Sequence, residues 1–293
     1  MILLFLGSMQ IPPKPFSSFK ADTFKIAIAA LLLLLTCVKE KGFSQAIADP
    51  VTKSWSVSIN PGICNSNVTD NYFSKLPYKG ITASIIAAVK HTRALTEHDL
   101  ILFYTKGDLQ TDSKPRFKLN QTILNIDYSI LYSINTSEDQ RFKLKAGVAG
   151  QLFFGDRVYH EFINQNNSFE NAISLGGTIK LVYELPGIFS DFSLSNQLMI
   201  PVAFAYSQPS SANSAAEGRK SKTNSGFNNF FQFNKFATIP DIFRIKNYLA
   251  IERKLNSKNT IALSYFWDCY SVRTGNKVVQ ANHQLGVLYR YTF

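Results

Sequence analysis

The sequence predicts an all-β protein, an antiparallel up-and-down transmembrane β-barrel of about ten strands, and three observations carry that expectation. Apolar and polar residues alternate with period two in segments that run past the usual soluble strand length of roughly five or six residues. The composition is rich in Phe (24) and Tyr (13) and poor in charge (17%), a bias that suits contact with lipid. The connections between alternating segments switch between short and long, as in a meander that turns tightly at one end only.

The N-terminal segment comes first in the chain and reads as a targeting signal. Lys14, Lys20 and Lys25 precede an apolar run from Ile26 to Val38, and small residues follow at Ser44, Ala46 and Ala48. The run is too short for the roughly 20 apolar residues of a membrane helix, and Lys39, Glu40 and Lys41 follow it at once. Residues 1–48 are therefore expected to be a signal peptide, cut after Ala46 or Ala48, and residues 49–293 a single barrel domain. A retained membrane anchor, a lipoprotein site at Leu34-Leu35-Thr36-Cys37 and a start at Met9 stay open as alternatives.

The strands follow. From Leu124 to Ile134 one face is Leu, Ile, Tyr, Ile, Tyr, Ile and the other is mostly polar. The same alternation runs over Phe142–Phe154, Ile173–Leu185, Phe192–Tyr206, Ile261–Trp267 and Leu285–Phe293. Aromatic residues near strand ends, at Tyr104, Tyr132, Phe142, Phe154, Phe192, Tyr206, Phe243 and Tyr289, suit girdles at two water–lipid interfaces. A soluble β-sandwich, with the apolar faces turned inward, is the fallback architecture.

Short connections are expected near Arg93–Glu97, Thr136–Gln140, Gly187–Asp191 and Asn256–Asn259. Long ones are expected at 62–77, 107–120, 155–168, 207–242 and 274–279. With both ends on one side this scheme gives ten strands, closed by pairing the Trp55 region with the C-terminal strand; twelve is the alternative if Phe227–Phe236 adds a strand. The stretch 207–242 reads either as a plug folded into the barrel mouth or as an extra strand pair.

The last ten residues, Gln284-Leu285-Gly286-Val287-Leu288-Tyr289-Arg290-Tyr291-Thr292-Phe293, alternate and end on Phe. With the N-terminal signal, this ending resembles the closing strand of small Gram-negative outer-membrane β-barrels. The resemblance implies residence in the cell outer membrane among its lipids. It also implies recognition by the barrel-assembly machinery, with Tyr289, Tyr291 and Phe293 as the assembly signal.

The inward faces are expected to carry Lys143, Lys145, Lys180, Arg244, Lys246 and Arg290 beside Asp127, Glu184, Glu252 and Asp268. In a narrow barrel such charges fill the lumen as a paired polar core, which leaves a structural or surface-interaction role. A small-solute channel leaning toward anions is the alternative. The chain carries +11, and removal through Ala48 takes away five basic and two acidic residues and leaves +8, a balance that favours phosphates or anionic solutes.

No Gly-x-Ser-x-Gly, His-Glu-x-x-His or P-loop occurs. A second alternative is a rim-located hydrolase using His160 or His283 with Asp156 and Glu161, although solvated rim residues explain the same pattern. Cys64 and Cys269 are the cysteines left after processing, near one rim but on strands that are not neighbours, which disfavours a disulfide. No cofactor, metal site or nucleic-acid partner is expected.

Overall fold

The computed structural model describes residues 53–71, 74–134, 141–160, 167–207, 235–273 and 277–293. The expected signal segment, the Thr136–Gln140 turn, Glu161 and residues 208–234 of the long connection lie outside the described residues.

Eleven strand segments form one closed antiparallel sheet: β1 (Ser54–Asp70), β2 (Ser74–Thr92), β3 (Thr96–Thr111), β4 (Lys118–Ser133), β5 (Phe142–Tyr159), β6 (Asn167–Glu184), β7 (Phe192–Ser207), β8 (Lys235–Thr238), β9 (Ile242–Lys254), β10 (Asn259–Val272) and β11 (Val278–Thr292). Chain neighbours pair throughout except β8 with β9, and β1 pairs with β11 to close the cylinder, where the Phe293 amide donates to the Trp55 carbonyl at 2.8 Å.

The barrel has ten staves, because β8 and β9 share one. Both pair with β7: Met199 lies opposite Lys246 of β9, while Ala203 lies opposite Thr238 of β8. Unbroken pairing would set Ala203 against Ile242, so four extra residues form a turn within the stave. Its Asp241 carbonyl accepts from the Arg273 amide at 2.8 Å. Phe236 lies in β8, within this stave, so no further stave arises from it.

Three short connections lie at the end that holds Trp55 and Phe293. One runs from Arg93 to Leu95; another contains the 3-10 turn Gly187–Phe189, where Gly187 adopts φ +65°. In the third, Asn256 Oδ1 accepts from the backbone amides of Lys258 and Asn259, a side-chain-built turn.

The opposite end corrects the expected long loops. The chain stays in strands through much of 62–77, 107–120 and 155–168, and β1 runs straight past Gly62 to Asp70. The reason is an inversion of polarity along several staves, clearest on β1 and β4. In the half near the short turns, β1 turns Trp55, Val57, Ile59 and Ile63 outward and Ser56, Ser58 and Asn60 inward. In the far half it turns Asn65 and Asn67 outward and Cys64 and Val68 inward. β4 does the same, with Leu119 inward beside outward Lys118, and Asn125 inward beside outward Tyr128.

Near the short turns the barrel therefore wears an apolar belt around a polar lumen, and in its far half the interior gains a cluster of apolar side chains beside buried polar groups such as Asp70, Arg157 and Glu170. That far core includes Val68, Tyr78, Leu109, Leu119, Tyr159 and Val278. Strands of 13 to 19 residues exceed the roughly 9 to 11 that a bilayer requires, so the far half stands clear of the belt. Of the expected girdle aromatics, Tyr206 departs: it is buried inside the barrel at 5% exposure.

Candidate functional site

The lumen is the candidate site, and it is built by the inward positions of all ten staves in three levels. Nearest the short turns, Glu97 of β3 bonds both Lys145 of β5 and Lys180 of β6, with Lys90 of β2 at 3.5 Å. Lys180 also reaches Asp99 at 3.2 Å. Across the same level Arg290 of β11 grips Glu252 of β9 with two hydrogen bonds, at 2.6 and 2.9 Å. Lys143 and Glu184 meet at 2.8 Å on the rim, where both remain substantially exposed.

The middle level spans the barrel. Lys246 of β9 donates to both carboxylate oxygens of Asp127 on β4, at 2.7 and 2.8 Å. Arg244 is bidentate on Asp268 at 3.0 and 2.6 Å, and Asn125 links the pair by accepting from Arg244 and donating to Asp268. The Arg244 guanidinium also lies over the Phe153 ring, 4.8 Å from its centroid.

In the far half Arg157, fully buried, donates to Glu170 at 2.8 Å and to the Tyr270 hydroxyl and Gln280 Oε1 at 2.6 Å each. Tyr159 and Ser168 donate to Asp70 beside it, at 3.1 and 3.3 Å.

Among the described residues seven cations face seven carboxylates across these levels, so their charges balance. Charges buried in this way persist because each has a partner and hydrogen bonds, since an isolated one would cost several kcal/mol. Space is scarce around them. Two cavities of about 30 and 40 Å³ lie at different heights, each large enough for about two or three waters. Between the levels Phe103 of β3 packs on Phe266 of β10 with ring centroids 4.9 Å apart.

Sequence reasoning missed Lys90, Glu97, Asp99, Asp70, Arg157 and Glu170. Glu97 and Asp99 share parity away from outward Leu100, Leu102 and Tyr104, a signal open to a reading that starts β3 at Thr96. Lys90 follows Ile86 and Ala88 on its face, where both faces of β2 are apolar and alternation is silent. Arg157 stood inside an expected loop.

Among the described residues the candidate hydrolase groups are not brought together. His160 is exposed just past β5, and Asp156 points outward. His283 faces out from β11, five strands away, where its Nδ1 lies 2.6 Å from the Tyr265 hydroxyl and its ring stacks on Trp267. Cys64 is buried in the lumen, Cys269 points outward, and both are free thiols. Among the described residues no group of three or more His, Cys, Asp or Glu side chains could hold a metal ion.

The barrel fold has a counterpart among solved structures. The outer membrane protease OmpT from Escherichia coli superposes with a TM-score of 0.50 at 9% identity, covering 87% of this chain and 99% of that one. The likeness is one of fold. Neisserial surface protein A covers 84% of this chain and 100% of its own at TM-score 0.37 and 8% identity. An outer membrane channel from Pseudomonas putida F1 covers 87% and 100% at TM-score 0.37 and 12% identity. No family model matches the chain, and no curated protein matches it.

Proposed function

We propose that residues 49–293 form an outer-membrane barrel, exported by residues 1–48 as a signal peptide, with a lumen sealed by its own side chains. Its role is structural or one of surface interaction, exercised by the wall and connections of the far half.

The apolar belt supports the membrane reading, because five successive outward positions of β1, from Trp55 to Ile63, are apolar and the next, Asn65 and Asn67, are polar. Its aromatic fringe, with Trp55 stacked on His91 at one edge and Tyr104 at the other, suits two interfaces. The observation that carries the sealed reading is the crossing of the lumen from β9 to β4, where Lys246 neutralises Asp127 and the neighbouring-strand pair Arg244–Asp268 reaches across to Asn125. An anion-leaning channel needs unpaired cations and continuous water instead. The likeness to a protease concerns fold, and among the described residues neither His160 nor His283 meets a carboxylate.

The test is single-channel recording of the refolded mature chain in a planar bilayer, beside a Lys143→Glu, Lys145→Glu variant. The expected record is stable insertion without steady conductance in the wild type. Steady current whose anion preference falls in the variant would make the protein a channel, and failure to insert would remove the membrane reading.

A further inference from the structure

The apolar belt is interrupted on one side of the barrel. On β9 the successive outward positions are Phe243, Ile245, Asn247, Leu249 and Ile251, so an amide stands at the centre of an otherwise apolar face. On β7 they are Leu194, Asn196, Leu198, Ile200 and Val202, with a second amide among apolar neighbours. Their register partners on the adjoining strands, Leu181 of β6 beside Asn196 and Trp267 of β10 beside Asn247, offer no carboxylate or amide.

The two amides form a diagonal pair, because Asn196 lies opposite Leu249 and Leu198 opposite Asn247. Asn247 Nδ2 donates to Asn196 Oδ1 at 2.8 Å, and both side chains stay half-buried on the outer face. That bond uses one donor group and one acceptor. Asn196 Nδ2 and Asn247 Oδ1 have no hydrogen-bond partner among the described residues, and hydrocarbon supplies none.

We infer that this β7–β9 face docks a second copy of the chain, side by side in the same membrane. Both copies stand with the same end up, so the two-fold axis relating them runs along the membrane normal and matching residues meet at one height. That rotation sets β7 of one copy against β9 of the other. Asn196 Nδ2 of each copy then faces the partner's Asn247 Oδ1, and two reciprocal hydrogen bonds complete both amide pairs. The leucines and isoleucines above and below pack around them and exclude lipid. A copy presents the complementary donor and acceptor by symmetry alone, which is why the occupant is this chain rather than another protein. The inference rests on the membrane reading above.

The test inserts the mature chain, labelled at its N-terminus with donor or acceptor dye, into phosphatidylcholine vesicles. Insertion is read first by heat-modifiable gel mobility; failure of the wild type there removes the membrane reading, a result distinct from loss of the dimer. Energy transfer over a series of protein-to-lipid ratios then measures association. The wild type is expected to dimerise, and Asn196→Leu, Asn247→Leu to insert normally but dimerise about thirtyfold more weakly through loss of two bonds. Leu100→Ala, Leu102→Ala on β3, nearly opposite across the barrel, should dimerise as the wild type does. In a Cys64→Ser, Cys269→Ser background, a short bismaleimide should link copies carrying Leu198→Cys and leave those carrying Leu102→Cys unlinked. An inserted wild type that stays monomeric at high protein density, undiminished dimerisation of the asparagine variant, or equal linking through positions 198 and 102 would each overturn the inference.

Discussion

Lys246 and Asp127 stand on nearly opposite staves, β9 and β4, 119 residues apart in sequence, and meet through two hydrogen bonds at 2–3% side-chain exposure. Removing one partner strands a buried charge. Asp127→Ala is expected to destabilise the barrel by about 3–5 kcal/mol, whereas Asp127→Leu with Lys246→Met should recover much of that loss. Urea unfolding in micelles, followed by tryptophan fluorescence, measures both; equal losses in the two variants would show that the pair is not the source.

The belt predicts a positional asymmetry on one strand. Ile59 lies at the centre of the apolar stretch of β1 and Asn67 lies beyond it, both outward. Ile59→Arg should cost about 2–4 kcal/mol and Asn67→Arg about 0–1 kcal/mol in liposome unfolding. Similar costs at the two positions would contradict the belt.

The cysteines predict a labelling pattern. Cys269 faces out beyond the belt and Cys64 is buried in the lumen. A maleimide should modify Cys269 in the folded protein and Cys64 only after unfolding, with mobility unchanged by reductant. Protection of both thiols by oxidation would show a disulfide that opposite faces of the wall do not allow.

The closing strand predicts an assembly phenotype. Tyr289 and Tyr291 face outward, and Phe293 is 70% exposed with its ring edge-on to Tyr291 at 5.0 Å. Deleting Phe293 removes little packing, so refolding in detergent should change by less than about 1 kcal/mol. Assembly in a reconstituted barrel-assembly machinery should slow. A normal assembly rate would leave the ending without the role its resemblance implies.

The staves were legible where the belt lies and illegible beyond it. Leu124, Ile126, Tyr128 and Ile130 mark the outward face of β4 without ambiguity. At Lys118 and Leu119 the same strand exchanges the polarity of its faces, so a rule seeking apolar residues on one parity reads a strand end where none exists. Arg157 and Glu170 were hidden for that reason. Parity assigns a side chain to a face, but it cannot pair Lys246 with Asp127, because their meeting depends on the curvature of the whole sheet. Tyr206 escaped for a local reason: the register shifts between Leu175 and Gly176, and the inward parity of β7 changes beyond it, from Pro201 to Phe204.

The belt also sets the thickness of the layer this barrel fits. Eight residue steps separate Trp55 from Ile63, about 26 Å along the strand and roughly 20 Å along the barrel axis at a tilt near 40°. That height matches thin bilayers. In a membrane of longer acyl chains the lipid would have to compress around the wall or cover Asn65 and its neighbours. Chain length alone would then sort this protein between membranes, before any receptor reads its sequence.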